Sequence, residues 1–204
     1  MQPSGSEQQE SLAQLRKQVV ALVRDRGYEW REEPFQLSSG QPSHDYVDGK
    51  YAIDSGPGLR LASRAAVAAA NSLGASFDAV GGPTMGAEAL AHGIAMVADC
   101  LWFSVRKEPK RRGREQWIEG NRLKRGTRVL LVDDVVSTGD SIMKAYEHVV
   151  DTGASVVGVV ALVDRGESGR QLFAKHSVPY TALVTYRDLE IEQVRGSKFT
   201  ATAS

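Results

Sequence analysis

The sequence predicts an α/β fold in which helices cover both faces of a doubly wound, mostly parallel sheet. Two observations carry this prediction. Short runs of almost continuous apolar residues alternate along the chain with longer segments whose apolar residues recur at helical spacing. The apolar runs also lack the polar–apolar alternation of half-exposed strands, which is typical of parallel strands buried on both sides. Ligands bind such sheets at the carboxyl ends of the strands.

The first predicted element is a helix over residues 11–26, with Ser11 as its cap and Gly27 at its end. The next segment, "FQLSSGQPSHDYVDGKYAIDSGPG" at residues 35–58, is rich in Ser, Gly, Pro and Asp. This composition predicts short strands and turns rather than a helix.

Strands and helices are predicted to alternate after Gly58. The predicted strands are "FDAVGG", "CLWFSVR", "RVLLV", "SVVGVVALV" and "YTALVTY". The predicted helices are "LRLASRAAVAAANSL", "GAEALAHGIAMVA", "SIMKAYEHVVDT" and "SGRQLFAKH". We expect one domain over residues 11–194, of which 11–57 form an N-terminal helix and hood, with flexible tails at 1–10 and 195–204.

Composition excludes several kinds of partner. Lys and Arg together number 25, as do Asp and Glu, so no net charge attracts nucleic acid or an anionic membrane. No apolar run reaches the roughly 18 residues of a membrane span, and the polar N-terminus does not resemble a signal peptide. Cys100 is the only cysteine, which suits a reducing compartment. These features predict a cytoplasmic protein that binds neither nucleic acid nor membrane.

The segment "VLLVDDVVSTGDS", residues 129–141, is the most informative motif. Two adjacent carboxylates, Asp133 and Asp134, follow a strand and can accept hydrogen bonds from neighbouring sugar hydroxyls. The hydroxyl-rich turn after them leads into a helix, whose free N–H groups suit a phosphate. Alternatively, the acids only begin a turn and the hydroxyls only cap the helix. The string resembles the phosphoribosyl-pyrophosphate (PRPP) motif of the type I phosphoribosyltransferases.

A basic segment, "VRKEPKRRGREQWIEG" at residues 105–120, precedes this motif. Its cations suit a pyrophosphate leaving group, which gains negative charge as its bond to the sugar breaks. A mobile loop would admit substrate and then exclude water. The alternative is a solvated basic loop or a nucleic-acid patch.

Four segments together resemble the orotate phosphoribosyltransferases, over roughly residues 11–189. The basic segment resembles their loop, and "FQLSSGQPSHDYVD" resembles their N-terminal base-binding segment. The segment "VGGPTMGAEALA" resembles their pyrophosphate loop, and "LVDR" the segment that supplies an arginine to the carboxylate of orotate. The resemblance implies transfer of a 5-phosphoribosyl group from PRPP to orotate in pyrimidine synthesis, in a type I phosphoribosyltransferase fold with a small base-binding hood.

The resemblance also implies roles for individual residues. Those with catalytic roles would be Lys107, Lys110, Asp133 and Asp134. PRPP would be bound by these four residues and by Arg106, Arg112, Val135, Val136, Ser137, Thr138, Gly139, Asp140, Ser141, Gly82, Thr84 and Met85. Orotate would be bound by Ser137, Arg165 and Tyr46. The expected partners are PRPP, orotate and a second subunit that shares the loop at residues 106–113.

We expect Mg²⁺ to arrive bound to PRPP oxygens, since Mg²⁺ prefers substrate phosphates to an all-protein cage. The four histidines have no metal-ligand spacing, so no metal site built by the protein is predicted. Arg112 stands where the family usually has histidine, and Ser38 where many members have lysine. Two alternatives therefore stay open: a phosphoribosyltransferase for another nucleobase, and a PRPP-binding regulatory protein with little turnover.

Overall fold

The computed structural model describes residues 10–37, 40, 42–109 and 117–191. The helices are α1 (Leu12–Leu22), α2 (Gly49–Ala52), α3 (Gly56–Ser72), α4 (Glu88–Ala98), α5 (Asp140–Asp151) and α6 (Ser168–Ala174). The strands are β1 (Tyr28–Gln36), β2 (Pro42–Val47), β3 (Ala79–Pro83), β4 (Leu101–Val105), β5 (Ile118–Gly120), β6 (Arg128–Val136), β7 (Ser155–Asp164) and β8 (Tyr180–Thr185).

Six strands form the main sheet, in the order β5-β4-β3-β6-β7-β8. Every neighbouring pair is parallel except β4 and β5, which are antiparallel. The prediction of a doubly wound, mostly parallel sheet is therefore confirmed. The strand β5 is an addition that the sequence did not predict. Since β6 lies between β3 and β7, its carboxyl end meets theirs at one edge.

The core has two parts, one on each face of the sheet. Helices α1, α3 and α4 pack on one face, where the small side chains of Ala62, Ala66 and Ala70 are buried and bring α3 close to its neighbours. Helices α5 and α6 pack on the other face through Ile142 and Phe173. Within β6, Leu130 and Val132 belong to the first part, and Val129 and Leu131 to the second. This alternation explains why the strand is apolar throughout.

The N-terminal segment forms a helix and a hairpin. Ser11 and Gln14 cap α1 with reciprocal hydrogen bonds, as expected for a capping box, and a π-helical turn at Val23–Gly27 follows it. Strands β1 and β2 form a separate antiparallel pair, the hood. The prediction that residues 35–58 contain no helix is wrong, since α2 lies there and α3 begins at Gly56.

The predicted tails lie largely outside the described residues, and the expected domain limits stay predictions. The roles expected for four further residues also stay predictions, because these residues lie outside the described ranges: Ser38, Lys110, Arg112 and Gly113. Among the described residues, no helix is both long and apolar enough to cross a membrane.

Candidate active site

Two carboxylates lie near the carboxyl end of the central strand. Asp133 and Asp134 are inside β6, which continues to Val136, so the prediction that the strand ends before them is wrong. Both acids are buried, with 6% and 7% of their surface exposed. The Asp133 carboxylate accepts the Asp134 N–H at 3.0 Å, and the Asp134 carboxylate accepts the Val135 N–H at 2.8 Å. Burial and the neighbouring charge of Asp134 raise the pKa of Asp133 well above 3.8.

The loop after β3 closes directly over these acids. A side chain at Gly86 would overlap Asp134 Oδ1 and crowd Asp133, so the backbone of the loop lies against both carboxylates. The peptide bond between Thr84 and Met85 is cis, which the sequence could not reveal. Thr84 donates its N–H to Val105 at 2.8 Å, and this bond holds the loop at the edge of the sheet. The structure thus brings this loop and the acids of β6 together.

The turn after β6 leads into α5, as the motif predicted. Gly139 caps the helix with a φ of 86°, a conformation that favours glycine. Thr138 accepts the Asp140 N–H at 3.4 Å, while Asp140 and Ser141 begin the helix with exposed side chains. The first N–H groups of α5 therefore lie next to the acid pair, in a position that suits a phosphate.

Arg165 follows the end of β7, next to this turn. Its guanidinium donates from Nη2 to the carbonyl of Val47 in the hood at 2.9 Å. Its Nε is buried without a hydrogen-bond partner among the described residues, as is the hydroxyl of Tyr186. The guanidinium carbon lies 6.0 Å from the centre of the Tyr186 ring. The guanidinium is thus half-buried and incompletely paired, which suits a ligand carboxylate.

Tyr46 lies on β2 of the hood and carries a cation over its ring. The guanidinium carbon of Arg31 lies 3.8 Å from the ring centre, and Phe35 packs edge-on against the same ring. The Tyr46 hydroxyl donates to Asp48 at 3.4 Å. A base that stacks on the ring therefore uses the face opposite Arg31 or displaces it.

The described part of the basic loop begins at Arg106 and Lys107, both exposed. Arg106 pairs with Glu119 at 3.3 Å and donates from Nε to the carbonyl of Glu108 at 3.1 Å. A cavity of about 530 Å³ lies between the start of this loop and α5. Its lining includes the cations Arg106, Lys107 and Lys144, together with Ser141 of the turn. The cavity thus connects the basic loop with the predicted phosphate turn.

Two supporting groups were not among the predicted site residues. Lys50 of α2 forms ion pairs with Asp134 and with Asp48. Asp164 accepts the Tyr180 hydroxyl at 2.7 Å and the Gly166 N–H at 2.9 Å, which holds the turn that carries Arg165. The only sequence signal for Lys50 was its closeness to the base-binding segment. The only sequence signal for Asp164 was its place within the segment "LVDR".

Comparison with known proteins identifies the class and then the family. Residues 52–175 match the family described as phosphoribosyl transferase domain, so fold and site together define a phosphoribosyltransferase. An orotate phosphoribosyltransferase from Aquifex aeolicus is 37% identical over 180 residues, covering 85% of this chain and 97% of the relative. Another from Synechocystis sp. is 34% identical over 184 residues, covering 88% and 90%. The chain belongs to the orotate phosphoribosyltransferase family, whose members are transferases.

A solved structure agrees with this assignment. The orotate phosphoribosyltransferase of Mycobacterium tuberculosis H37Rv, in complex with PRPP, superposes with a TM-score of 0.70 at 29% identity. The match covers 87% of this chain and 99% of that chain. The predicted resemblance and the predicted type I phosphoribosyltransferase fold are confirmed.

Proposed function

We propose that the protein transfers the 5-phosphoribosyl group of PRPP to a ring nitrogen of orotate, giving orotidine 5′-monophosphate and pyrophosphate in pyrimidine synthesis. The bond between the sugar carbon and a pyrophosphate oxygen breaks, a bond from that carbon to the ring nitrogen forms, and the nitrogen loses its proton to solvent or to the departing pyrophosphate. One observation carries the proposal: the buried acids Asp133 and Asp134 lie between the loop at Gly86 and the turn into α5. This arrangement suits a ribose phosphate, because carboxylates can accept hydrogen bonds from the ribose hydroxyls and N–H groups can donate to the phosphate.

PRPP binding uses both the acid pair of β6 and the turn into α5. Asp133 and Asp134 accept hydrogen bonds from the ribose hydroxyls, because each carboxylate keeps oxygen lone pairs beyond those used by the backbone. The backbone of residues 135–141 and the hydroxyls of the turn hold the 5′-phosphate at the start of α5. A substrate held in this way has its sugar carbon fixed in orientation, which lowers the entropic cost of reaction.

Pyrophosphate is bound on the opposite side of the ribose. Gly82 near the end of β3 supplies a backbone group, and so do Thr84 and Met85 in the loop after it. Arg106 and Lys107 supply positive charge that is most useful when the bond to the sugar breaks. Lys110 and Arg112 belong to the same proposed set but lie outside the described residues. Arg112 keeps the charge of the usual histidine but cannot release a proton at neutral pH.

Orotate is bound between the hood and the turn after β7. Arg165 pairs with the carboxylate of orotate, and its half-buried position beside the hood supports this role. Tyr46 packs on the ring of the base, and Ser137 contacts the base from the turn. Since an uncharged base offers no carboxylate, Arg165 favours orotate over uracil.

Mg²⁺ is proposed to be bound through PRPP. Within the described residues, no group of three or more His, Cys, Asp and Glu side chains could hold a metal ion. Asp134 already pairs with Lys50. The acidic side chains of the site therefore suit a metal ion that is held by substrate oxygens. Such an ion would neutralise charge on the pyrophosphate.

The finer assignments of partner and compartment rest on the resemblance. We propose a homodimer in which the loop at residues 106–113 reaches the neighbouring subunit's site, and a cytoplasmic location. A mixture of two impaired variants tests the dimer, one altered at Lys107 and one at Asp134. Restored activity on mixing supports a shared site, and no activity in a mixture that forms dimers contradicts it.

A pyrophosphate-release assay with PRPP, Mg²⁺ and a panel of bases tests the function. The proposal predicts release with orotate and much less with uracil, adenine or guanine. Release with another base instead of orotate would make the protein a different phosphoribosyltransferase. PRPP binding without release with any base would make it a regulatory protein.

A further inference from the structure

Lys50 connects the hood side of the site to the acid pair of β6. Its ammonium lies 3.1 Å from Asp134 Oδ2 and 2.9 Å from Asp48 Oδ1. The residues Lys50 and Asp134 are 84 positions apart in sequence. About half of the lysine side chain is exposed, while the Asp134 side chain is only 10% exposed. The ion pair therefore joins a half-exposed side chain of α2 to a buried carboxylate of β6.

Backbone contacts fix this approach. Asp48 caps α2 by accepting the Lys50 N–H at 2.9 Å. Gly49 packs on β6 so closely that a side chain there would lie 3.0 Å from the carbonyl of Asp134. The helix α2 is thus held against the strand one residue before Lys50. Because α2 has only four residues, its position depends on these contacts rather than on its own helical stability.

The acid pair needs a compensating charge. Burial and the charge of Asp134 disfavour ionisation of Asp133, and the charge of Lys50 opposes that effect. Tyr180 on β8 also lies within electrostatic range of Asp133. Partial burial alone would lower the pKa of Lys50, but Asp48 and Asp134 together raise it above its usual value. The lysine is thus a permanent cation at neutral pH.

We infer that Lys50 is a positioning residue for PRPP binding, holding the Asp134 carboxylate in the orientation in which it can accept a ribose hydroxyl. This inference rests on the proposed function of the acid pair. Lys50 itself is not required to touch the substrate. The chain of contacts continues from Asp48 to the Tyr46 hydroxyl, so the same lysine joins the proposed base side and ribose side of the site.

Three variants test the inference by PRPP titration in a calorimeter and by steady-state kinetics. Lys50→Met removes the charge, and we expect the Kd and KM for PRPP to rise about tenfold, as for loss of one ion pair to a buried carboxylate. The KM for orotate stays within about twofold of the original value, which a general loss of structure would not produce. Lys50→Arg keeps the charge and restores most of the affinity. Lys17→Met, at an exposed position on α1, leaves every constant unchanged.

A double-mutant cycle identifies the route of the effect. If Lys50 acts through Asp134, then Lys50→Met has little further effect on PRPP affinity in an Asp134→Asn background. An equal loss in both backgrounds would overturn the inference, because Lys50 would then act on the substrate directly. Unchanged PRPP affinity in Lys50→Met would also overturn it. Failure of the proposed function is a separate result, since it appears as absent orotate-dependent release in the unaltered protein while PRPP binding remains measurable.

Discussion

The backbone N–H of Arg165 donates to the carbonyl of Val136 at 2.9 Å. This bond joins the turn that carries the proposed orotate-binding arginine to the last residue of the strand that carries the acid pair. Arg165 also donates to Val47 of the hood. The turn and the strand therefore share a backbone contact that a change of side chain leaves in place, whereas the contact with the hood depends on the Arg165 side chain.

Asp134→Asn tests the role of the acid pair. The variant keeps the shape of the side chain but loses its charge and its ion pair with Lys50. We expect kcat/KM for PRPP to fall by about ten- to hundredfold, the range for loss of a charged hydrogen bond. The fall should appear with any base. Asp25→Asn is the matched control, because Asp25 is exposed and lies outside the site. Unchanged PRPP use in Asp134→Asn would contradict the assignment.

Arg165→Ala tests the choice of base. We expect the KM for orotate to rise by about tenfold or more because the pairing with the carboxylate is lost, while the KM for PRPP changes little. Initial-rate kinetics with each substrate varied in turn measures both constants. Arg170→Ala on α6 is the control, since that side chain is 63% exposed. An equal loss of PRPP binding in Arg165→Ala would show that the arginine does not discriminate the base.

Gly86→Ala tests the close approach of the loop to the acids. The added methyl group would overlap Asp134 Oδ1, so the carboxylate or the loop must move. We expect kcat/KM for PRPP to fall by about tenfold, in line with the cost of overpacking. Gly56→Ala is the control, because a side chain at that position meets nothing within 4 Å. Full activity in Gly86→Ala would mean that this contact is not needed for PRPP binding.

The raised pKa of Asp133 predicts a change in stability with pH. Between pH 3.8 and the raised pKa of Asp133, this carboxyl group is protonated more often in the folded protein than in the unfolded chain. The free energy of unfolding contributed by Asp133 therefore falls as pH rises through this window. Asp133→Asn removes that dependence and should stabilise the unliganded protein at neutral pH by about 1 kcal/mol, while lowering activity. Thermal unfolding of both proteins from pH 4 to 7 measures the effect. If Asp133→Asn is less stable than the original protein and its stability depends on pH in the same way, the buried charge of Asp133 does not destabilise the fold.

The long elements of the fold could be predicted because each carries its own signal. The strand at 129–132 is apolar on both sides and the helix α5 repeats its buried positions at helical spacing. The strand β5 has three residues and gains its structure by pairing with β4, so its sequence alone carries little information. The helix α2 has four residues and is fixed by packing on β6.

The site could be predicted where its residues are contiguous. The acids and the phosphate turn lie within one short segment, and their spacing suggests the chemistry. The pairing of Lys50 with Asp134 depends instead on how α2 packs against β6, which no local pattern encodes. The same reason explains why the buried Nε of Arg165 and its place beside the hood emerged only from the structure.

A crystal structure with PRPP and Mg²⁺ would show directly where the sugar phosphate binds. We expect the 5′-phosphate to bind to the backbone N–H groups of the turn at residues 137–141, and the ribose hydroxyls to contact Asp133 and Asp134. A sugar phosphate bound away from the carboxyl end of β6, with both carboxylates untouched, would contradict the proposed site.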